Sequence, residues 1–121
     1  MHGIASYRSR RVETASPAQT VLLLLQEIAR RVELGATALD AGRPADASPH
    51  FHHARLVIAE LLAALDPSAA SELVAGLQVL YAWVAAELVA AGRDRDPARA
   101  RAAGAAIVPL IEAWASIQSA R

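Results

Sequence analysis

The chain contains no cysteine and no lysine, and only 4% of its 121 residues are aromatic. Without cysteine, neither a disulfide framework nor a thiolate-ligated metal is available. Every one of the 12 cations is arginine, which reads first as the composition of a GC-rich genome and only second as a preference for bidentate ion pairs. Those arginines are balanced by 12 carboxylates, so the formal net charge is zero. No basic excess points to nucleic acid or to an anionic membrane surface as the main partner. No uninterrupted apolar run approaches the roughly twenty residues that span a bilayer, and the opening Met1-His2-Gly3-Ile4-Ala5-Ser6-Tyr7-Arg8 lacks the apolar core of a signal peptide. A cytoplasmic protein without membrane insertion is expected.

Catalytic equipment is missing as well. There is no Gly-x-Ser-x-Gly elbow, phosphate-binding loop or dinucleotide fingerprint. The histidines gather at His50, His52 and His53, but only His50 and His53 share a helix face, with no third ligand three or four residues on. Seven glutamates could in principle furnish a di-metal bundle site, yet that site needs Glu-x-x-His pairs the chain does not have. The expectation is a protein without catalytic residues, metal or cofactor.

What is abundant is alanine, leucine and apolar residues in general, which make up 55% of the chain and favour helix-on-helix packing over a sheet. At this length one core and one domain are the default. Proline punctuates the chain. Ser16-Pro17-Ala18-Gln19 is an N-cap, a first-turn proline and a capping-box glutamine, opening a helix that can run to Gly42. Ser48-Pro49 repeats the device and opens a second helix to about Leu65, before Asp66-Pro67. A third helix is predicted from about Glu72 to Ala91, closed by Gly92, and Asp96-Pro97 starts a fourth that runs to about Ser119. Pro109 falls inside the fourth helix and predicts either a kink or two abutting helices.

Apolar residues recur at i, i+3, i+4, i+7 within these limits. The stripes are Val21, Leu24, Leu25, Ile28, Val32, Ala36 and Leu39; Phe51, Ala54, Ile58, Leu61, Leu62 and Leu65; Leu73, Leu77, Leu80, Val84 and Leu88; and Ala103, Ile107, Leu110, Ile111, Trp114 and Ile117. The fold class is therefore all-α, an antiparallel four-helix bundle over residues 16–121. Residues 1–15, with Arg8, Arg10 and Arg11, form a mobile N-terminal arm, or a short helical turn placing Ile4 and Tyr7 on one side.

The chain has more apolar surface than one core requires. Leu22 and Leu23 lie off the first stripe, and Val74, Val79, Trp83 and Val89 off the third. Either the helices are buried on two sides, or an apolar face is left for a partner helix. With Ile4 and Tyr7 of the arm, Leu22, Leu23, Val74, Val79 and Trp83 are the candidate partner contacts.

The segment from Tyr7 through Val12-Glu13-Thr14-Ala15-Ser16-Pro17 to Val21-Leu22-Leu23-Leu24 resembles the opening of the flagellin export chaperone family, FliS. Ala54-Arg55-Leu56-Val57-Ile58-Ala59-Glu60-Leu61 with Leu65-Asp66 is similar to its second core helix. Leu73, Leu77, Leu80-Tyr81 and Leu88 are similar to its Asn-Leu-x-x-Leu-Tyr helix, and Asp96-Pro97 with Glu112-Ala113-Trp114 to its ending. The chain departs from the family pattern at Leu24-Leu25-Gln26, where Leu-Tyr-Asp is usual, at Pro67-Ser68 and at Pro109.

The resemblance implies a flagellar secretion chaperone. Such a protein binds the disordered C-terminal segment of flagellin as it folds into helices, prevents premature polymerisation and delivers it to the type III export gate. It adds Tyr81 to the candidate contacts, and it implies that the arm covers part of the groove in the free state and that Tyr7 contacts the export gate. Two other readings of the same apolar faces are a homo-oligomeric bundle and a regulator that binds another flagellar assembly factor.

Overall fold

A computed structural model describes residues 16–66, 68 and 71–119; Ile4 and Tyr7, with the rest of the arm, lie outside the described residues. Four helices follow one another: α1 (Pro17–Asp40), α2 (Pro44–Ala64), α3 (Glu72–Asp94) and α4 (Pro97–Ser119). No strand occurs among the described residues.

The first helix begins where its sequence signals place it. The Ser16 side chain accepts a hydrogen bond from the Gln19 amide at 3.2 Å, and the Gln19 side chain accepts one from the Ser16 amide at 2.9 Å. This reciprocal box satisfies two amides that the first turn leaves without helical partners. At the other end Gly42 adopts φ +70°, the left-handed conformation open to glycine at little cost. That turn lets the Gly42 amide donate to the Leu39 carbonyl at 3.0 Å and the Arg43 amide to Ala38 at 2.8 Å, reversing the chain within three residues.

The second helix starts five residues earlier than the Ser48-Pro49 signal predicts. Pro44 occupies its first turn and Pro49 lies inside it. The earlier start brings Ala47 into the core beside Phe51, both buried. The gain is apolar burial continuing to the loop, against one missing amide donor at Pro49. Asp66, after the last turn, accepts from both the amide and the hydroxyl of Ser68, at 2.9 and 2.6 Å.

The third helix is capped by Ser71, whose hydroxyl accepts from the Val74 amide at 3.1 Å. It runs on through Gly92 to Asp94 and is ended by Arg95, at φ 53°, with the Asp96 amide donating to the Ala91 carbonyl at 2.9 Å. The fourth helix is opened by Asp96, whose carboxylate accepts from the Arg99 amide at 3.0 Å. It is one helix through Pro109, so two abutting helices are not formed. Pro109 and Ala105 are both exposed, so the Ala105 carbonyl deprived of its helical donor lies on the side of the helix that water reaches.

The helices form a ring in chain order, α1 packing on α2 and α4 and α3 on α2 and α4, with the interfaces of α1 the more extensive. Short connections make neighbours antiparallel, and ion pairs mark the register. Arg101 of α4 reaches Asp40 at 2.7 Å and Glu33 at 3.1 Å on α1; Arg99 of α4 reaches Glu87 of α3 at 2.6 Å; His53 of α2 lies 3.2 Å from Glu27 of α1. The exposed Arg101 pairs each contribute little to stability, so they record alignment more than they cause it.

Apart from the Tyr81 hydroxyl, the core holds no polar or charged side chain among the described residues. Leu25, Ile28, Val32, Ala36, Phe51, Ala54, Ile58 and Leu61 follow the predicted stripes. The stripe of α3 is kept from Leu77 to Leu88 and is joined there by Tyr81. Its buried residues are Tyr81, Val84, Leu88, Ala90 and Ala91, with Leu77 and Leu80 partly covered and Leu73 70% exposed. The register explains Leu73. Gly92 lies against the Phe51 ring, so in antiparallel order Ala64, the last residue of α2, is level with Val79, and the first turns of α3 project past α2.

By length and composition alone, α3 and α4 are apolar enough to cross a membrane, which no uninterrupted run in the sequence foretold. Small residues raise their mean hydropathy while Gly76, Gln78, Glu87 and Glu112 break the runs. In the fold both helices are members of the bundle, with Val84, Leu88 and Ile107 fully buried.

Candidate functional site

The outer surface of α3 is the feature least explained by bundle packing. Between Glu72 and Arg93 the only polar side chains are Gln78, Tyr81 and Glu87; Tyr81 is in the core and Glu87 is tied to Arg99. Gly76, Val79, Ala82, Trp83, Ala86 and Val89 are all exposed. Their spacing puts them on one side of the helix, in an uncharged stripe about 20 Å long at 1.5 Å per residue. Val79 is 71% and Trp83 44% exposed, and the position facing outward at Gly76 opens onto empty space.

A solvent-facing helix side ordinarily carries charge. An uncharged stripe of this kind suits a partner helix anchored at i, i+3, i+4 and i+7. On neighbouring α4, Ala102, Ala105, Val108, Ala113 and Ile117 are exposed as well, with the exposed Glu112 among them.

The candidate contacts are therefore divided. Val79 and Trp83 share the exposed α3 stripe. Val74 is half-buried. Leu22 and Leu23 are also half-buried, and they lie on α1, across the bundle from α3, so they are not part of the same face. Tyr81 is corrected outright: at 3% exposure it is a core residue, and burial pushes its hydroxyl pKa up. Position 81 falls between Leu77, Val84 and Leu88, on the side of α3 that packs in the core. Leu73 and Val89 belong to the accessible apolar surface although neither was among the candidates. Val89 was legible as an apolar residue off the stripe, whereas the exposure of Leu73 depends on where α2 ends.

A second feature lies where α2 meets the C-terminal half of α3. A cleft of about 170 Å³ opens there, lined by Pro44, Phe51, Arg55, Val89, Gly92 and Arg93 among others. Its floor is the Phe51 ring, held between helices by two glycines. The ring lies close against Gly35 of α1, where an added Cβ would come within 2.8 and 2.9 Å of its carbons, and 3.6 Å from the corresponding position at Gly92.

The histidines diverge. His50 Nδ1, unprotonated, accepts from the Arg31 guanidinium at 3.2 Å, His53 faces Glu27, and His52 is exposed beside Arg55. Burial, then the charges of Arg31 and Arg30, hold the His50 pKa down. Burial would raise the Glu27 carboxyl, but the hydrogen bond from Arg31 and the charges of Arg30, Arg31 and His53 outweigh it and hold it below its ordinary value. Among the described residues no three metal-ligating side chains converge.

No curated protein matches the chain. A family model described as flagellar protein FliS matches it over residues 1–121. An all-helical bundle and a match over the whole length agree, and the chain belongs to the FliS family of flagellar export chaperones.

Proposed function

We propose that the protein binds the C-terminal helical segment of flagellin in the cytosol, keeps it from polymerising prematurely and delivers it to the flagellar type III export gate. Family membership supplies the chaperone role, and the observation that carries the finer reading is the uncharged, exposed stripe of α3. A disordered cargo that folds on binding gives up part of its interaction energy to ordering, leaving a complex that can later be dissociated. A segment folding along successive helices meets the α3 stripe, the outer side of α4 and then Leu22 of α1, so one cargo engages faces that are not contiguous. Ile4 and Tyr7 of the arm are proposed to cover part of this surface in the free protein, and Tyr7 to contact the gate.

The test mixes the purified protein with flagellin from the same organism and with flagellin lacking its C-terminal segment, using calorimetry. Binding to the full-length protein alone is expected. Equal binding to both, or to neither, overturns the reading. Light scattering of the free chain separates the homo-oligomer, whose mass rises with concentration, from a chaperone that is monomeric until it meets its cargo.

A further inference from the structure

The cleft between α2 and α3 differs from the α3 stripe in carrying charge. Arg93 is held by Asp94 through two hydrogen bonds of 2.9 and 3.0 Å. Asp94 also lies 3.5 Å from Arg99, which is paired with Glu87. These two arginines and two carboxylates balance. Arg55 does not take part: among the described residues no carboxylate pairs with it, and its one polar contact is a long 3.4 Å approach of Nη2 to Nδ1 of His52. Its Nε is buried and has no hydrogen-bond partner among the described residues. A guanidinium nitrogen removed from water and left without an acceptor is costly, and a ligand that supplies an acceptor recovers that cost.

The apolar half of the cleft is formed by Phe51, Leu88, Val89 and Gly92, and its volume suits one aliphatic side chain. The seam also continues. One and two turns along from Arg55 and Val89, the helices present Ala59, Leu62, Ala85 and Ala82, of which Ala59 and Ala82 are exposed. Small side chains there leave room for a chain passing along the seam.

We propose that this cleft recognises an acidic side chain flanked by an aliphatic one, on a protein segment that lies along the α2–α3 seam. The carboxylate accepts from the Arg55 guanidinium while the aliphatic neighbour covers the Phe51 ring. The proposal rests on the chaperone reading for the identity of the segment, but not for the chemistry of the cleft. An acidic residue lying beside an apolar one would then fix the register of the cargo on a bundle whose other contacts are uncharged.

Two measurements test it on the full chain. In the first, the flagellin C-terminal segment is titrated into the protein and into Arg55→Gln and Arg55→Lys, at low and high salt, with circular dichroism to verify folding. Arg55→Gln is expected to weaken binding about tenfold or more and to flatten its salt dependence, with Arg55→Lys in between. Unchanged affinity and salt dependence in Arg55→Gln overturns the proposal for this cargo.

In the second, the labelled protein is titrated with acetyl-Leu-Glu-amide, acetyl-Leu-Gln-amide and acetyl-Ala-Leu with a free C-terminus. The first peptide is expected to shift the Arg55 Nε–H and the Val89 and Gly92 amides, and the second to leave them in place. Equal shifts from the two amides, or none, overturn the proposal. Larger shifts from the free C-terminus overturn the choice of a side-chain carboxylate. If the flagellin segment fails to bind while the acidic dipeptide shifts these resonances, the cargo assignment fails and the cleft stands.

Discussion

Phe51 is flanked by two glycines on opposite sides, and replacing each by alanine separates the packing of the cleft from the helix propensity of the chain. In both cases the substitution removes backbone freedom from the unfolded state and improves helix propensity, a gain of about 0.5–1 kcal/mol. At Gly92 the new Cβ sits 3.6 Å from the ring, an ordinary van der Waals distance, so the gain should survive. At Gly35 the same atom falls within 2.8 and 2.9 Å of two ring carbons. The ring is 3% exposed and cannot swing aside without disturbing Gly92 and Leu88. Overpacking of this kind costs about 1–3 kcal/mol. The net expectation is Gly35→Ala destabilised by about 1–2 kcal/mol and Gly92→Ala stabilised by about 0.5–1 kcal/mol.

Urea denaturation at constant m-value measures both, and thermal melts should move by about 3–5 °C per kcal/mol for a domain of this size. The double variant Gly35→Ala with Phe51→Leu should lose less than the sum of its parts, because the smaller side chain removes the overlap. If Gly35→Ala proves as stable as the parent, or if both glycine variants move in the same direction, the account of a ring clamped between α1 and α3 is wrong.

Three further outcomes follow from the same structure. Val79→Glu and Trp83→Glu should weaken binding of the flagellin segment at least tenfold while leaving the far-ultraviolet spectrum and urea midpoint intact, since both residues are exposed; loss of helicity instead would return them to the core. Arg95→Gly should raise stability by about 0.5–1 kcal/mol in urea titrations, because Arg95 occupies the left-handed conformation at φ 53° at a cost that glycine avoids; no change would mean that the capping turn is not strained.

Acid should destabilise the protein in two stages. His50 has its pKa lowered in the fold, so the unfolded chain takes up its proton first, and stability falls as pH drops below the ordinary histidine value of 6.5. Glu27, also lowered, contributes stability above its ordinary 4.5 that is lost as pH falls through the folded value. His50→Gln should abolish the first stage alone; a urea midpoint that is flat from pH 7 to 5 in the parent would contradict the His50 environment.

The local signals at helix ends proved the most legible part of the sequence. Ser16-Pro17-Ala18-Gln19 and Asp96-Pro97 determine their caps because capping involves residues only three apart, and Gly42 determines its turn because few other residues reach positive φ without strain. The stripes of α1 and α2, and so the all-helical class and most of the core, are legible for a similar reason: one periodic face per helix is enough to name the buried side. The register of the FliS elements is likewise a property of the chain alone.

The start of α2 was decided by tertiary packing, which chose Pro44 over Pro49 because Ala47 could be buried against its neighbours. The same holds for α3. Alanine, valine and leucine occur all round this helix; its core side follows the stripe Leu77, Leu80, Val84 and Leu88, and its neighbours decide which of the remaining apolar residues stay uncovered. The antiparallel register with α2 and α4 turned Tyr81 inward, left Leu73 beyond the end of α2, and put Val79, Trp83 and Val89 on the surface. The arrangement of Arg55 and Phe51 in one cleft depends on residues from two helices meeting across a seam, and no spacing within either helix encodes it. Sequence by itself determined four helices with apolar sides; only their packing decided which apolar side was left uncovered, because burial is a property of the assembled bundle and not of any one helix.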